Sequence, residues 1–182
     1  MGKRLFMALD LPAQVTQMLA GLDPQLAGLR WLAASQLHLT LGFVAAVAEE
    51  HEARLTAALA EICLPRFPLV LQGLGSFGKF RHPTVVWVGV ANAPAALSRL
   101  QGQIHGALLA AGLKPDPKPF HAHITVGRCK GVDAVALRQF MERHAQDDFG
   151  TLEATGFTLY SSVLHPHGPE HLPVLQQAFD PA

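Results

Sequence analysis

His38-Leu39-Thr40-Leu41-Gly42 and His123-Ile124-Thr125-Val126-Gly127 share one pattern: histidine, branched apolar residue, threonine, branched apolar residue, glycine. Alternating polar and apolar residues read as a half-buried strand, in which residues i and i+2 share a face. His38 and Thr40 therefore point one way, and Leu39 and Leu41 point into a core. His123 and Thr125 stand likewise against Ile124 and Val126. Within each motif the imidazole and the hydroxyl rise from Cα atoms about 6.6 Å apart, twice the strand rise. That spacing suits two groups contacting one phosphate. A third His-x-Thr, His82-Pro83-Thr84, lacks the apolar frame and the glycine. Its proline cannot donate to a ladder, so it reads as a strand entry.

Working outward, the elements around each motif run in the same order. Leu5 to Leu9 predicts a strand, and Pro12 suits the first turn of a helix striped by Val15, Met18, Leu19 and Leu22. Leu37 to Phe43 is the first motif strand. Glu49 to Ile62 is a helix, and Phe67 to Leu74 a strand that gives way to a loop at Gly73, Gly75 and Gly78. Thr84 to Val90 then reads as a strand. Ala95 to Ala111 reads as a helix ended by Gly112 and Pro115, followed by a stiff Lys114–Pro119 loop. Phe120 to Val126 is the second motif strand and Val132 to His144 a helix. Thr151 to Val163 is one long strand, and a short strand near Leu172 to Phe179 closes the chain. The order β-α-β-α-β occurs twice, which predicts one domain over 1–182 built of internal repeats at about 1–82 and 83–182.

The 182 residues suffice for one domain, and 49% apolar against 15% charged residues exclude a disordered chain. Lys plus Arg equals Asp plus Glu, so a basic coat for duplex nucleic acid is not expected. No apolar run approaches a membrane span, and the apolar stretch after Lys3 and Arg4 is too short for a signal peptide. Cys63 and Cys129 form no framework, which predicts a reduced, cytoplasmic protein.

Two imidazoles facing one cleft can divide acid and base work near neutral pH. Attack of water on a phosphorus ester needs one proton removed from water and one given to the leaving oxygen. Threonine hydroxyls can donate to the non-bridging oxygens, where charge accumulates. The scheme requires no metal, and the symmetric motifs do not say which histidine is the acid.

The chain resembles the 2H phosphoesterases, and within them the bacterial and archaeal RNA 2′,3′-cyclic phosphodiesterases long called 2′-5′ RNA ligases. The resemblance runs through Arg4-Leu-Phe-Met-Ala-Leu-Asp10, Leu37 to Phe43, Val85-Val-Trp-Val-Gly89, Lys118 to Arg128 and Phe157-Thr-Leu-Tyr-Ser-Ser162. It implies a bilobal α+β fold: two pseudo-symmetric halves with antiparallel sheets facing a central cleft and helices outside. It also implies hydrolysis of a 2′,3′-cyclic phosphate at an RNA 3′ end to a 2′-phosphate, without metal or other cofactor. His38 would be the proton donor to the departing 3′ oxygen and His123 the acceptor from water. Thr40 and Thr125 would hold phosphate oxygens. RNA 3′ ends, and nucleotides besides, would be the partners of a monomer that binds no membrane. The chain departs from relatives at Ala122, where proline is common, and at His171, where an aromatic residue is frequent.

Around the motifs, Arg128, Lys118, Ser161 and Phe43 are candidate substrate-binding residues. Strict alternation sends Arg128 to the face away from His123; it reaches the cleft only if the strand twists near Gly127. Lys114, Lys118, Arg128 and Lys130 form a local basic group, and Lys79, Arg81 and His82 a facing one. Trp31, Phe43, Phe80 and Phe120 are candidates to stack on a base, and Ser162 neighbours Ser161 at a strand end. His165, His167 and His171, among Pro166, Pro169 and Pro173, read as surface histidines of a turn. The rival to metal-free chemistry is a zinc hydrolase using His38, His121 and His123, since His-x-His can chelate. No acidic neighbour in the sequence supports that rival. A further alternative is an RNA-binding or 2′-5′ RNA-joining protein with weak hydrolysis.

Overall fold

The computed structural model describes residues 2–165 and 168–181, without the side chains of 164–169. In chain order the elements are β1 (Lys3–Asp10), α1 (Ala13–Ala20), β2 (Leu29–Trp31), β3 (His38–Val47), α2 (Glu49–Ala60), β4 (Phe67–Lys79) and β5 (His82–Ala91). They continue with α3 (Ala95–Ala110), β6 (His123–Cys129), α4 (Ala134–Arg143), β7 (Asp148–Ala154), β8 (Gly156–His165) and β9 (Gly168–Ala178). The fold is α+β, as expected. Its antiparallel sheet runs β7-β4-β5-β6-β3-β1-β8-β9, with β2 paired to β6. The groups β7-β4-β5-β6 and β3-β1-β8-β9 meet where β3 pairs with β6, through the single register pair Leu39–Ile124. Each group borrows a strand. β4, from the first half of the chain, pairs with β5, and β8, from the second half, pairs with β1.

One face of the sheet carries the core. Leu5, Met7 and Leu9 of β1, Leu39 and Leu41 of β3, and Ile124 and Val126 of β6 join Leu55 and Leu59 of α2 and Leu97, Leu100 and Ile104 of α3 in one apolar cluster. Burying side chains of this size stabilises by roughly 1.5–3 kcal/mol each before entropy is counted. The other face of β1 presents Phe6, Ala8 and Asp10 opposite Phe43, Thr40 and His38. This is the face of the site.

Several boundaries differ from the sequence expectation. The glycines of β4 do not open a loop; the strand runs on to Lys79, with register shifts at Gln72/Leu74 and Phe77/Gly78. Gly73 (φ 68°) and Gly78 (φ 105°) occupy the left-handed region there, where side-chain-bearing residues are strained. Gly75 leaves room for the Trp87 indole, with which a Cβ would collide. The expected strand over 151–163 is two strands broken at Thr155: β7 pairs with β4 and β8 with β1, at distant places in the sheet. The second motif strand begins only at His123, because Phe120 to Ala122 still belong to the proline-rich loop. Asp133 caps α4, accepting from the Val135 and Ala136 amides, so that helix starts after Val132. The three-residue β2 carried no legible signal. Of the expected histidine–proline turn, Pro166 and His167, and the side chains of His165 and Pro169, lie outside the described residues.

Candidate active site

The pairing of Leu39 with Ile124 is antiparallel. One step to either side, His38 therefore stands opposite Thr125, and Thr40 opposite His123. Directly opposed side chains start about 4.5–5.5 Å apart at Cβ, and diagonal neighbours about 7–8 Å. Two imidazoles and two hydroxyls thus surround one small patch of sheet, each histidine beside the threonine of the other motif. The outer partners complete the row: Asp10 lies opposite His38, Ala8 opposite Thr40, Trp87 opposite Thr125 and Gly89 opposite His123.

Both motif strands carry a β-bulge at the same place. Between β1 and β3 the register slips so that Met7 faces Gly42 while Ala8 faces Thr40, leaving Leu41 as the extra residue. Between β5 and β6, Val86 faces Gly127 while Trp87 faces Thr125, leaving Val126 extra. A bulge puts two consecutive residues on one face and reverses the alternation beyond it. Leu41 and Gly42, like Val126 and Gly127, face the core. Gly42 lies against Met7 and Ile104, and Gly127 against Leu29 and Trp31. The next residue then returns to the site face. This is Phe43 in one motif and Arg128 in the other, each five positions after its histidine.

Two cavities flank the Leu39–Ile124 junction. One, of about 570 Å³, holds His123, His121, Thr40, Phe43, Phe77 and Phe120 and is mostly apolar. Gln101 and His105 of α3, with Asp116 and Lys118 of the proline-rich loop, add its polar groups. The other, of about 390 Å³, holds His38, Thr40, Thr125, Arg128, Ser162 and His171, with Arg4 and Arg30. Thr40 and Phe43 line both, so the cavities adjoin.

The histidines are held in defined surroundings. His123 Nδ1 lies 2.7 Å from the His121 carbonyl oxygen. A carbonyl only accepts, so Nδ1 carries the proton and donates, leaving Nε2 of a neutral ring free as a base. Burial lowers the His123 pKa; the bond to His121 opposes this in part. Phe77 meets the ring edge-on, with centroids 4.8 Å apart. His38 stacks on Phe6 at 4.9 Å and touches His171 edge-on at 5.7 Å. Its pKa is pushed down to about 4, chiefly by burial and then by charge on His171. A hydrogen bond with the Gln36 backbone and the carboxylate of Asp10 act the other way. Asp10 is itself fixed by Thr158 Oγ1 and Tyr160 Oη, each donating at 2.6 Å. The sheet thus brings a carboxylate beside the first motif, where the sequence showed no acidic neighbour.

Of the expected substrate contacts, Arg128 and Phe43 reach the cavities by way of the bulges, and Lys118 lines the apolar cavity. Ser162, rather than Ser161, lines the basic one, since adjacent strand residues face oppositely. Lys114 and Lys130 line neither cavity, nor do Lys79, Arg81 and His82. Phe120 is in place to stack. Trp31 is structural, with Nε1 donating to the Leu19 carbonyl and the ring packed edge-on against Phe140. Phe80 lies under Arg138 in a separate hollow. His171 is not a turn histidine: it pairs with Ser162 on β9 and faces His38. Arg30 escaped the sequence reading; Arg4 entered it only within the stretch that carries the resemblance, and His171 only as a departure from relatives and a surface histidine. Arg30 and Trp31 form a polar–apolar pair, but a strand of three residues is too short to show a period. Among the described residues no three His, Cys, Asp or Glu side chains converge as a metal site. The set His38, His121 and His123 does not assemble as zinc ligands.

A two-fold arrangement of imidazole and hydroxyl on an antiparallel α+β sheet, beside a basic cavity, suits acid/base chemistry on a phosphate ester. Residues 11–166 match the model of the 2′-5′ RNA ligase superfamily, and the chain belongs to that family. It is 32% identical over 169 residues to an RNA 2′,3′-cyclic phosphodiesterase of Archaeoglobus fulgidus, covering 91% of this chain and 94% of the relative. It is 36% identical over 130 residues to the Escherichia coli RNA 2′,3′-cyclic phosphodiesterase, covering 69% and 72%. Its fold superposes on E. coli LigT complexed with 3′-AMP with a TM-score of 0.80, at 30% identity, over 98% of this chain and 99% of that one.

Proposed function

We propose that the protein hydrolyses the 2′,3′-cyclic phosphate at RNA 3′ ends to a 2′-phosphate, by acid/base catalysis that uses two histidines and no metal. The observation that carries this reading is the antiparallel junction that sets His38 beside Thr125 and Thr40 beside His123. The relatives named as RNA 2′,3′-cyclic phosphodiesterases support the substrate class, and the E. coli structure with 3′-AMP supports nucleotides as further ligands. The reaction is assigned to one bilobal domain over residues 1–182, acting as a cytoplasmic monomer.

The phosphate lies over the Leu39–Ile124 pair. Nε2 of His123 takes a proton from water, whose oxygen attacks phosphorus. The bond from phosphorus to the 3′ oxygen breaks, and His38 delivers a proton to that oxygen. Thr40, Thr125 and Arg128 donate to the non-bridging oxygens as negative charge grows there. A neutral His38 in the free protein must be charged before it can act. The bound phosphate anion raises its pKa, as any anion within about 4–6 Å does, and Asp10 acts in the same sense. Substrate binding thus loads the acid.

The test is to incubate the purified protein, with chelator present, with a short RNA ending in a 2′,3′-cyclic phosphate and to identify the product. A 2′-phosphate is expected. A 3′-phosphate would place the substrate the other way round, and absence of turnover until zinc is added would overturn the reading.

A further inference from the structure

We propose that Arg4 and Arg30, next to the Arg128 that meets the reacting phosphate, form a second anion subsite, one that takes the phosphodiester preceding the cyclic end of an oligonucleotide. This rests on the proposed hydrolysis and names which substrates it favours. Arg30 of β2 stands directly opposite Arg128 of β6. Both side chains line the smaller cavity, joined there by Arg4. Like charges directly opposed across a sheet repel, so the pair is a cost in the empty site. Among the described residues no carboxylate forms an ion pair with any of the three. Asp10, the acidic group nearest His38, is taken up by Thr158 and Tyr160. On a chain of zero net charge, this is a local surplus of three cations.

One cyclic phosphate carries a single negative charge and is met by His38, His123, the two threonines and Arg128. Arg4 and Arg30 exceed that need. Arg4 is preoriented, its guanidinium 5.2 Å from the centre of the Phe43 ring. Guanidinium forks match phosphate oxygens bidentately. The ribose supplies the geometry: its base leaves from C1′ and its 5′ carbon from C4′, with the 2′,3′ edge between them. With the cyclic phosphate over the Leu39–Ile124 junction, a base in the cavity of Phe43, Phe77 and Phe120 directs the 5′ oxygen toward the arginines.

The experiment measures kcat/KM for adenosine 2′,3′-cyclic phosphate with and without a 5′-phosphate, in wild type and in Arg30→Gln, whose exposed site tolerates the change. The 5′-phosphate is expected to raise kcat/KM about tenfold or more, mainly through KM, and less at high salt. Arg30→Gln is expected to remove most of that ratio. Equal values for the two substrates in wild type, or equal slowing of both by Arg30→Gln, would overturn the subsite. If wild type turns over neither mononucleotide, the short RNA of the preceding test decides the hydrolytic reading, and calorimetry decides the subsite alone. Adenosine 2′,5′-bisphosphate binding more tightly than adenosine 2′-monophosphate, with the difference lost in Arg30→Gln, would sustain it. Equal affinities would end it.

Discussion

Leu39 stands opposite Ile124, and through this register pair β3 meets β6. Both residues are fully buried on the core face. Their neighbours on the other face are therefore fixed relative to one another by backbone pairing and core packing rather than by loops. A site built on paired strands holds catalytic groups more tightly than one built on connections.

His38→Ala and His123→Ala should each slow hydrolysis by about 10²–10⁴-fold, the usual worth of a positioned acid or base. RNA binding should persist, because the arginines and threonines remain. Fluorescence anisotropy with an end-labelled oligonucleotide, beside single-turnover rates, checks both halves. Loss of binding in step with rate would place the histidines in affinity rather than chemistry.

Thr40→Ala and Thr125→Ala should slow the reaction less than the histidine variants. One preorganised donor is worth about 2.7–4 kcal/mol in a rigid oxyanion hole. A threonine hydroxyl rotates, and water can partly replace it, so a cost of about 1–2 kcal/mol is expected. Each loss should fall on kcat more than on KM. A pure rise in KM would mean that the hydroxyls bind ground state and transition state equally.

The pH dependence follows from the His38 pKa, lowered from 6.5 to about 4 in the free protein. The unfolded chain binds a proton here near pH 6.5, and the folded protein only near 4. Stability from this group is full above about pH 6.5 and is lost as pH falls toward 4, by an amount on the order of 1–3 kcal/mol. Denaturant melts of wild type and His38→Ala across that window should show a shallower slope for the variant. Parallel slopes would count against a depressed His38.

Substrate should reverse the depression. The alkaline limb that reports the acid should lie at higher pH in kcat, which reflects the complex, than in kcat/KM, which reflects the free enzyme. His171→Asn removes a charge that opposes protonation of His38 and should raise the His38 midpoint in NMR titration. It should not restore an ordinary value, since burial is the first cause. An unmoved or lowered midpoint would show that His171 is not coupled to His38.

Gly42→Ala and Gly127→Ala should differ. A Cβ at Gly42 meets Met7 Cε at 2.8 Å, the end of a flexible side chain. At Gly127 it meets Leu29 Cδ1 at 3.0 Å and Trp31 Cε3 at 3.1 Å, and that indole is tied to the Leu19 carbonyl. Gly127→Ala should cost about 1–3 kcal/mol and Gly42→Ala less. Thermal melts give the comparison, and a larger loss at Gly42 would contradict it.

The motif strands were legible because period-two patterning is local: Leu39, Leu41, Ile124 and Val126 are buried as the pattern requires. The bulges were not, because a bulge is a relation between strands. For that reason Arg128 looked misdirected, although the glycine after each motif is its trace. The break at Thr155 left only a weak local trace, the poor strand formers Glu153, Ala154 and Gly156, and it is pairing with β4 and β1 that separates β7 from β8. Asp10 and His171 lie far from the motifs in the chain, and only the topology of the sheet delivers them to the site; Arg30, eight residues before His38, arrives by pairing of β2 with β6.

The central claim is that His38 and His123 act as a pair on one phosphate. The most direct measurement is the single-turnover rate of His38→Ala, His123→Ala and the double variant on the same cyclic-phosphate RNA. Groups that act as a unit are strongly non-additive. The account predicts a double variant about as slow as the slower single one. Losses that simply multiply would mean independent contributions and would contradict it.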